Sequence, residues 1–461
     1  MLFNSSIFLF VFLPIVYLVF WHLTSKRARY IWLAGTGYVF YGYWNPAFCL
    51  LMLFSTLVSY TAGLGFLRAS TARQRKVLLI APIAVDLMLL AYFKYADFAI
   101  SILNAINDVY GGTDLPMLKI LLPVGISFYT FHTITYIVDS YRGVITPTRN
   151  FFEFASYVSL FSQLVAGPIV RFRELEEDLE NIDGKDRRQY LDAAWSFFVI
   201  GLIQKVLIAD TIAAVINPAL EHARDLSSTS AWLCMLGYTY QLYFDFAGYS
   251  NMAVGLGFLF GMNIPQNFDA PYKALNPSDF WRRWHISLSR CLRDYLYIVM
   301  GGNRGSELRT YRNVFLTMLI GGLWHGAAWT FVIWGAYHGL LLALYRRFAT
   351  VWDARPQWLQ RACMFLLAII GWTMFRADTW PDATALLGSM FMPTAGIDVT
   401  GTAALLVMIT ISAAVAHLGP TTFQMTHRWK PQTSFALAAL FLLCVMRING
   451  PETSPFLYFQ F

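Results

Sequence analysis

The densest concentration of chemistry-bearing residues lies between Ser278 and Gly305, in SDFWRRWHISLSRCLRDYLYIVMGGNRG. Within Asp279–Asp294 this segment sets Arg282, Arg283, Arg290 and Arg293 beside Trp281, Trp284 and His285, with apolar sequence on either side. Guanidinium groups in such a setting suit the phosphates of an anionic ligand, which they hold through forked hydrogen bonds. Arginines snorkelling to a headgroup belt are the plainer reading. On residue content alone the two stand level. A helix here carries cations and aromatics around most of its circumference and cannot lie against lipid hydrocarbon. A re-entrant or interfacial helix, sheltered by protein and lining an aqueous funnel, is therefore expected.

A second centre lies in GGLWHGAAWTFVIWGAYHG, residues 321–339, where His325 stands between Trp324 and Gly326. A neutral imidazole at membrane depth takes a proton near physiological pH, which suits a general base acting on a hydroxyl. A histidine hydrogen-bonded between packed helices is the alternative. That alternative is preferred for His338; for His325 the two stand level. Asp86, Asp139, Asp210 and Asp245 also fall in or beside apolar runs, and most are expected to pair with basic residues. Asp245 is the one nearest this region. No Walker loop, nucleotide-binding glycine motif or GxSxG elbow occurs, so ATP-driven transport has no support. The five cysteines are scattered singly, which points to neither a disulfide framework nor a bound metal.

The elements that must position these residues are membrane helices. Hydrophobic residues make up 57% of the 461 and charged residues only 13%, about half the usual share of a soluble domain. The net charge of +7 is assigned to cytoplasmic loops and anionic headgroups rather than to nucleic acid. Uncharged runs predict about ten to twelve transmembrane helices in an all-α polytopic fold with re-entrant or interfacial helices around a central funnel. The runs include Met1–Ser25, Tyr30–Leu67 with a turn at Asn45-Pro46, Leu226–Phe244 and Phe246–Phe268. Asn313–Tyr345 is 33 residues long; a straight helix of that length would reach about 50 Å, too long for the bilayer, so a break is expected at Gly321-Gly322 or Gly326. RELEEDLE, within 171–192, reads as a short amphipathic surface helix. One polytopic domain is expected over 1–461, with peripheral helices in 1–110, a core in 115–345 and C-terminal helices in 358–461. Basic clusters after the first helix (Lys26, Arg27, Arg29) and the third (Arg68, Arg73, Arg75, Lys76) place both loops in the cytoplasm and the N-terminus outside.

Several long motifs, in order, resemble the membrane-bound O-acyltransferase family, in the branch typified by the membrane subunit of bacterial alginate O-acetylation. They are LVAGPIVRFRE (Leu164–Glu174), YFDFAGYSNMAVGLG (Tyr243–Gly257), NFDAPY (Asn267–Tyr272), the Asp279–Gly305 segment, LWHGAAWTFVIWGAYHG, and the closing PFLYFQF. The resemblance implies an O-acyltransferase of the bacterial inner membrane. Its donor would be a cytoplasmic thioester, acetyl-CoA, and no bound cofactor is implied. A periplasmic or extracellular acetyltransferase partner would place the acetyl group on an exopolysaccharide such as alginate. Cellulose, peptidoglycan and D-alanylation of teichoic acid are the alternative acceptors. The family's active-site histidine falls on His325 and its second histidine on His285, 40 residues apart. Arg282, Arg283 and Arg290 would hold the donor's phosphates, Trp281, Trp284 and Trp324 would exclude water, and Asp245 would lie near the substrate. Asn251 stands where this branch leads one to expect Asp. A transporter or flippase shares the broken helices and buried charge, but no two related halves are seen. An inert secretion scaffold would need no histidine at membrane depth.

Overall fold

The computed structural model describes residues 1–450 together with Phe456 and Leu457; most of PFLYFQF lies outside the described residues. The chain is helical throughout, and among the described residues its only β pairing is an isolated bridge between Leu226 and Ile397. It packs as two compact units, one formed by 1–191 with 256–265, the other by 192–255 with 266–461.

In the first unit, local chemistry sets the helix ends. The Ser25 side chain caps Lys26–Gly42 by accepting from the Ala28 N–H, and Asn45-Pro46 makes the predicted turn before Ala47–Arg68. A Thr71–Gln74 capping box opens the next helix, which runs on through a π-turn at Ala91–Tyr95 to Gly111, where a φ of +70° stops it. Asp86 is buried and accepts from the Ser55 and Thr133 hydroxyls, both at 2.7 Å. RELEEDLE lies in the amphipathic helix Phe172–Glu180, with Phe172, Leu175, Asp178 and Leu179 buried. Asp178 there binds Lys185 at 2.6 Å and the Asn263 backbone N–H at 2.7 Å.

The second unit is held by glycine contacts. A Cβ on Gly255 would stand 2.6 Å from the Ala194 carbonyl oxygen, and one on Gly248 2.6 Å from that of Gly201. The helices Leu191–Ile203 and Ser228–Leu259 thus approach backbone to backbone, as small residues allow. The helices Glu307–His325 and Trp329–Asp353 pair in the same way, with Gly335 against the Met318 carbonyl and Gly339 against Phe315. Gly322 therefore serves close packing inside a helix, and the break falls at Gly326, extended at φ −159°.

Five helical segments are long and apolar enough to cross a membrane: Ala47–Arg68, Ala72–Tyr110, Leu191–Leu220, Gln357–Arg376 and Pro431–Ile448; Phe8–His22 and Thr402–His417 are shorter apolar helices. The larger number expected came from counting every uncharged run. Lys26–Gly42 and Ile126–Arg142 have only 17 residues each. Glu307–His325 and Trp329–Asp353 are long enough but less apolar than those five. Leu226–Phe244 and Phe246–Phe268, expected as two runs split at Asp245, instead form one 32-residue helix, Ser228–Leu259. Asp245 does not break it because Lys205 neutralises the carboxylate from the neighbouring helix.

That ion pair is the polar centre of the second unit. Lys205 is 1% exposed and donates to Asp210 at 2.7 Å and Asp245 at 2.6 Å, while the Leu457 backbone N–H donates to Asp245 at 3.1 Å. Removing one member of a buried ion cluster leaves an uncompensated charge and costs about 3–5 kcal/mol. Lys205→Met should therefore lower the thermal unfolding midpoint of the detergent-purified protein markedly. A midpoint equal to wild type would show that the cluster does not hold the helices.

Candidate active site

His285 does not sit in a continuous helix. It joins two short ones, Pro277–Arg283 and Ile286–Leu292, and takes the left-handed conformation, φ +42° and ψ +57°. A non-glycine residue there costs about 1–2 kcal/mol, so its surroundings must hold it. The first helix is opened by Asn276, whose side chain accepts from the Asp279 N–H at 2.8 Å, with Pro277 at its first position. NFDAPY then fastens the break: the Asn267 carbonyl accepts from the Ile286 N–H at 2.9 Å, and Asp269 N–H donates to the Arg283 carbonyl at 2.9 Å. Arg283 returns the tie, bonding Asp279 at 2.9 Å and the Asp269 carbonyl at 3.1 Å. Two motifs separate in the sequence are thus one knot in space.

His325 is the last helical residue before Gly326. It is 5% exposed, and His285 is fully buried. Trp324 touches both imidazoles, with ring centroids 6.3 Å from His285 and 5.0 Å from His325. Trp334 and Phe375 close the other sides of His325 at 5.1 and 5.3 Å, and Phe246 meets His285 edge-on at 4.7 Å. These surroundings are aromatic, yet several buried polar atoms of the cluster have no hydrogen-bond partner among the described residues. They are His285 Nε2 and the indole N–H groups of Trp281, Trp334 and Trp372. Leaving such groups unmet costs about 1–3 kcal/mol each, a cost that polar atoms of a bound ligand would relieve.

The remaining predicted residues divide into three groups. Arg282 and Arg290 are exposed and, with Trp281 and Arg293, line an open cavity of about 520 Å³ walled by Val314, Thr317, Met318 and Leu342. Trp281 is shared: it borders this cavity and packs on Trp334 at 5.7 Å and His338 at 5.1 Å. Trp284 is buried against Phe280 and Trp372. Arg283 is engaged with Asp279 and Asp269, and Asp245 with Lys205, so neither faces the cavity. His338 lies in an aromatic cage of Phe280, Trp281 and Trp334. Asn251 explains its own departure from Asp: its amide nitrogen donates to Gln204 at 2.8 Å and Thr422 at 3.0 Å, which a carboxylate cannot do.

Trp334, Phe375 and Asn267 were not singled out in the sequence. Asn267 and Trp334 carried a signal through their places in NFDAPY and LWHGAAWTFVIWGAYHG; for Phe375, helix packing decides which of many aromatics reaches the histidines.

An all-helical fold with five segments long and apolar enough to span a bilayer defines a multi-pass membrane protein. The membrane-bound O-acyltransferase family model matches residues 117–377, and the chain belongs to that family. It is 40% identical to the probable alginate O-acetylase AlgI of Pseudomonas putida over the full length of both chains. Identity to the probable alginate O-acetylase AlgI of Pseudomonas aeruginosa is 44%, covering 85% of this chain and 75% of that one. The peptidoglycan O-acetyltransferase of Helicobacter pylori is 36% identical over 85% of this chain and 80% of its own.

Because Arg283 fastens the His285 turn, Arg283→Ala should reduce acyl transfer by roughly tenfold to a hundredfold at equal membrane level, as displaced catalytic groups do. Transfer at the wild-type rate would mean that the turn holds without it.

Proposed function

We propose that this protein transfers an acetyl group from acetyl-CoA on the cytoplasmic side for O-acetylation of alginate outside, with a periplasmic acetyltransferase partner completing delivery to the polymer. The meeting of His285 and His325 on Trp324, with Trp334 and Trp281 packed in turn between His325 and the arginine-rimmed cavity, is the observation that carries this reading. Alginate as acceptor is supported by the relatives' names, at 40% and 44% identity over most of this chain. The Helicobacter pylori relative favours peptidoglycan as the second reading.

In this scheme Arg282 and Arg290 hold the donor's phosphates at the mouth of the cavity, and the thioester arm passes Trp281 into the chamber. His325 takes the proton of the acceptor hydroxyl as its oxygen attacks the thioester carbonyl. The carbon–sulfur bond then breaks, and the departing thiolate recovers a proton from the imidazolium. His285 orients the acceptor or stabilises the oxyanion. The aromatic walls keep water from the thioester.

The charges of the second unit support the orientation. Arg304, Arg309 and Arg312 lie at the start of the Glu307–His325 helix and Arg346, Arg347 and Arg355 near the end of its partner, on the side of the cavity. At the other end of these helices a polar cleft of about 300 Å³ holds Glu221, Asp225, Asp378 and Asp382 with Arg224 and Arg376. Positive charge marks the cytoplasmic side, so the cavity faces the cytoplasm and the cleft the periplasm, in an inner membrane. The basic clusters after the first and third helices put the N-terminus outside by the same rule. In intact cells a membrane-impermeant maleimide should leave Arg304→Cys unlabelled and label it only after lysis; labelling before lysis reverses the orientation.

General base catalysis is typically worth about 10²–10⁴ in rate. His325→Ala should therefore lose at least about a hundredfold of polymer-bound acetate while inserting normally. Arg282→Ala and Arg290→Ala should raise the acetyl-CoA concentration needed for half-maximal transfer and leave the maximal rate near wild type. Normal polymer acetylation by the His325 variant at equal expression removes that residue from the chemistry.

A further inference from the structure

The two roles left open for His285, donor to an oxyanion or acceptor of a hydrogen bond, require opposite protonation of Nε2. The structure decides between them through Asn267. The Asn267 side chain is 2% exposed and makes four contacts. Its Oδ1 lies 3.2 Å from the Ser287 backbone nitrogen, 2.8 Å from Ser287 Oγ and 3.1 Å from His285 Nδ1; its Nδ2 donates to Ser250 Oγ at 3.1 Å. A backbone N–H can only donate. The amide atom facing Ser287 must therefore be the oxygen, because an inverted amide would set two donors against each other. The same oxygen faces His285 Nδ1, so Nδ1 carries the proton. In the neutral imidazole that leaves Nε2 with its lone pair, and Nε2 is the buried atom with no partner among the described residues.

We propose that Asn267 is a positioning residue that fixes His285 as the Nδ1–H tautomer, so that Nε2 accepts a hydrogen bond from an O–H or N–H group of the bound substrate and does not donate to an oxyanion. The inference rests on the acyl-transfer reading for its substrate, but not for its geometry. Ser250 completes the device: by accepting from Nδ2 it keeps the amide from turning. The left-handed turn at His285 brings Nδ1 and the Ser287 N–H to the same oxygen, so the backbone conformation and the tautomer are set together.

The direct test is nitrogen-15 spectroscopy of histidine-labelled full-length protein in detergent, with the His285 signals assigned by their loss in His285→Gln. The expected spectrum has a protonated Nδ1 and an unprotonated Nε2. Addition of coenzyme A alone should move the Nε2 resonance if the donor supplies the hydrogen, and addition of an alginate oligosaccharide should move it if the acceptor does. A protonated Nε2 overturns the proposal, as does an Nε2 signal indifferent to both. Asn267→Leu should lower transfer roughly ten- to hundredfold and give a mixture of tautomers, as loss of an orienting partner does elsewhere. Asn267→Asp, which keeps an oxygen toward both Ser287 and His285, should keep the Nδ1–H form and recover most of the transfer. Equal losses in the two variants with an unchanged wild-type-like tautomer would make Asn267 structural only. If instead the tautomer is as stated but His285 and His325 variants acetylate polymer normally, the acyl-transfer reading fails and the geometry stands.

Discussion

A polar group far from water must find its partner within the protein, and in this chain that constraint explains most of what is not simple apolar packing. Lys205 draws together two carboxylates from different helical segments. Asp86 is met by two hydroxyls, and Asn267 by three residues of the segment that it braces. Each solution joins stretches distant in sequence, so the same contacts that satisfy the groups also specify the fold. Some buried polar atoms have no partner among the described residues, His285 Nε2 beside Trp324 among them.

The sequence reveals this arrangement unevenly. Composition alone gives the membrane class, and a break at Gly321-Gly322 or Gly326 was legible because 33 uncharged residues exceed a bilayer's depth, though only the fold places it at Gly326. The Asn45-Pro46 turn and the amphipathic 172–180 helix were equally plain, since both rest on local chemistry. The single helix over Ser228–Leu259 was not. A charge in an apolar run looks like an end unless its partner is known, and Lys205 lies 40 residues earlier. The same holds for Arg283. Beside Arg282 it looks like one of a pair of phosphate ligands, but only the fold turns it back onto Asp269 and Asp279. His285 and His325 were found through motif likeness; their convergence on Trp324 could not be read from spacing.

In the proposed scheme the site must combine two demands that usually conflict. A thioester must be protected from water, which calls for a dry, apolar wall. Proton transfer from a hydroxyl calls for oriented polar atoms. Tryptophan meets both, since its ring excludes solvent and its single N–H remains available. Trp281, Trp334 and Trp372 supply three such groups within one packed cluster, and His325 meets Trp334 edge-on. Water exclusion and hydrogen-bonding capacity thus come from the same side chains.

The glycine contacts along the 307–325 and 329–353 helices have a dynamic corollary. Backbones in contact at Gly335 and Gly339 leave no slack for sliding, so the pair moves as one stiff strut. On the route proposed from the cavity to His325, the packed indoles of Trp281 and Trp334 then have to turn aside, because these two helices do not part.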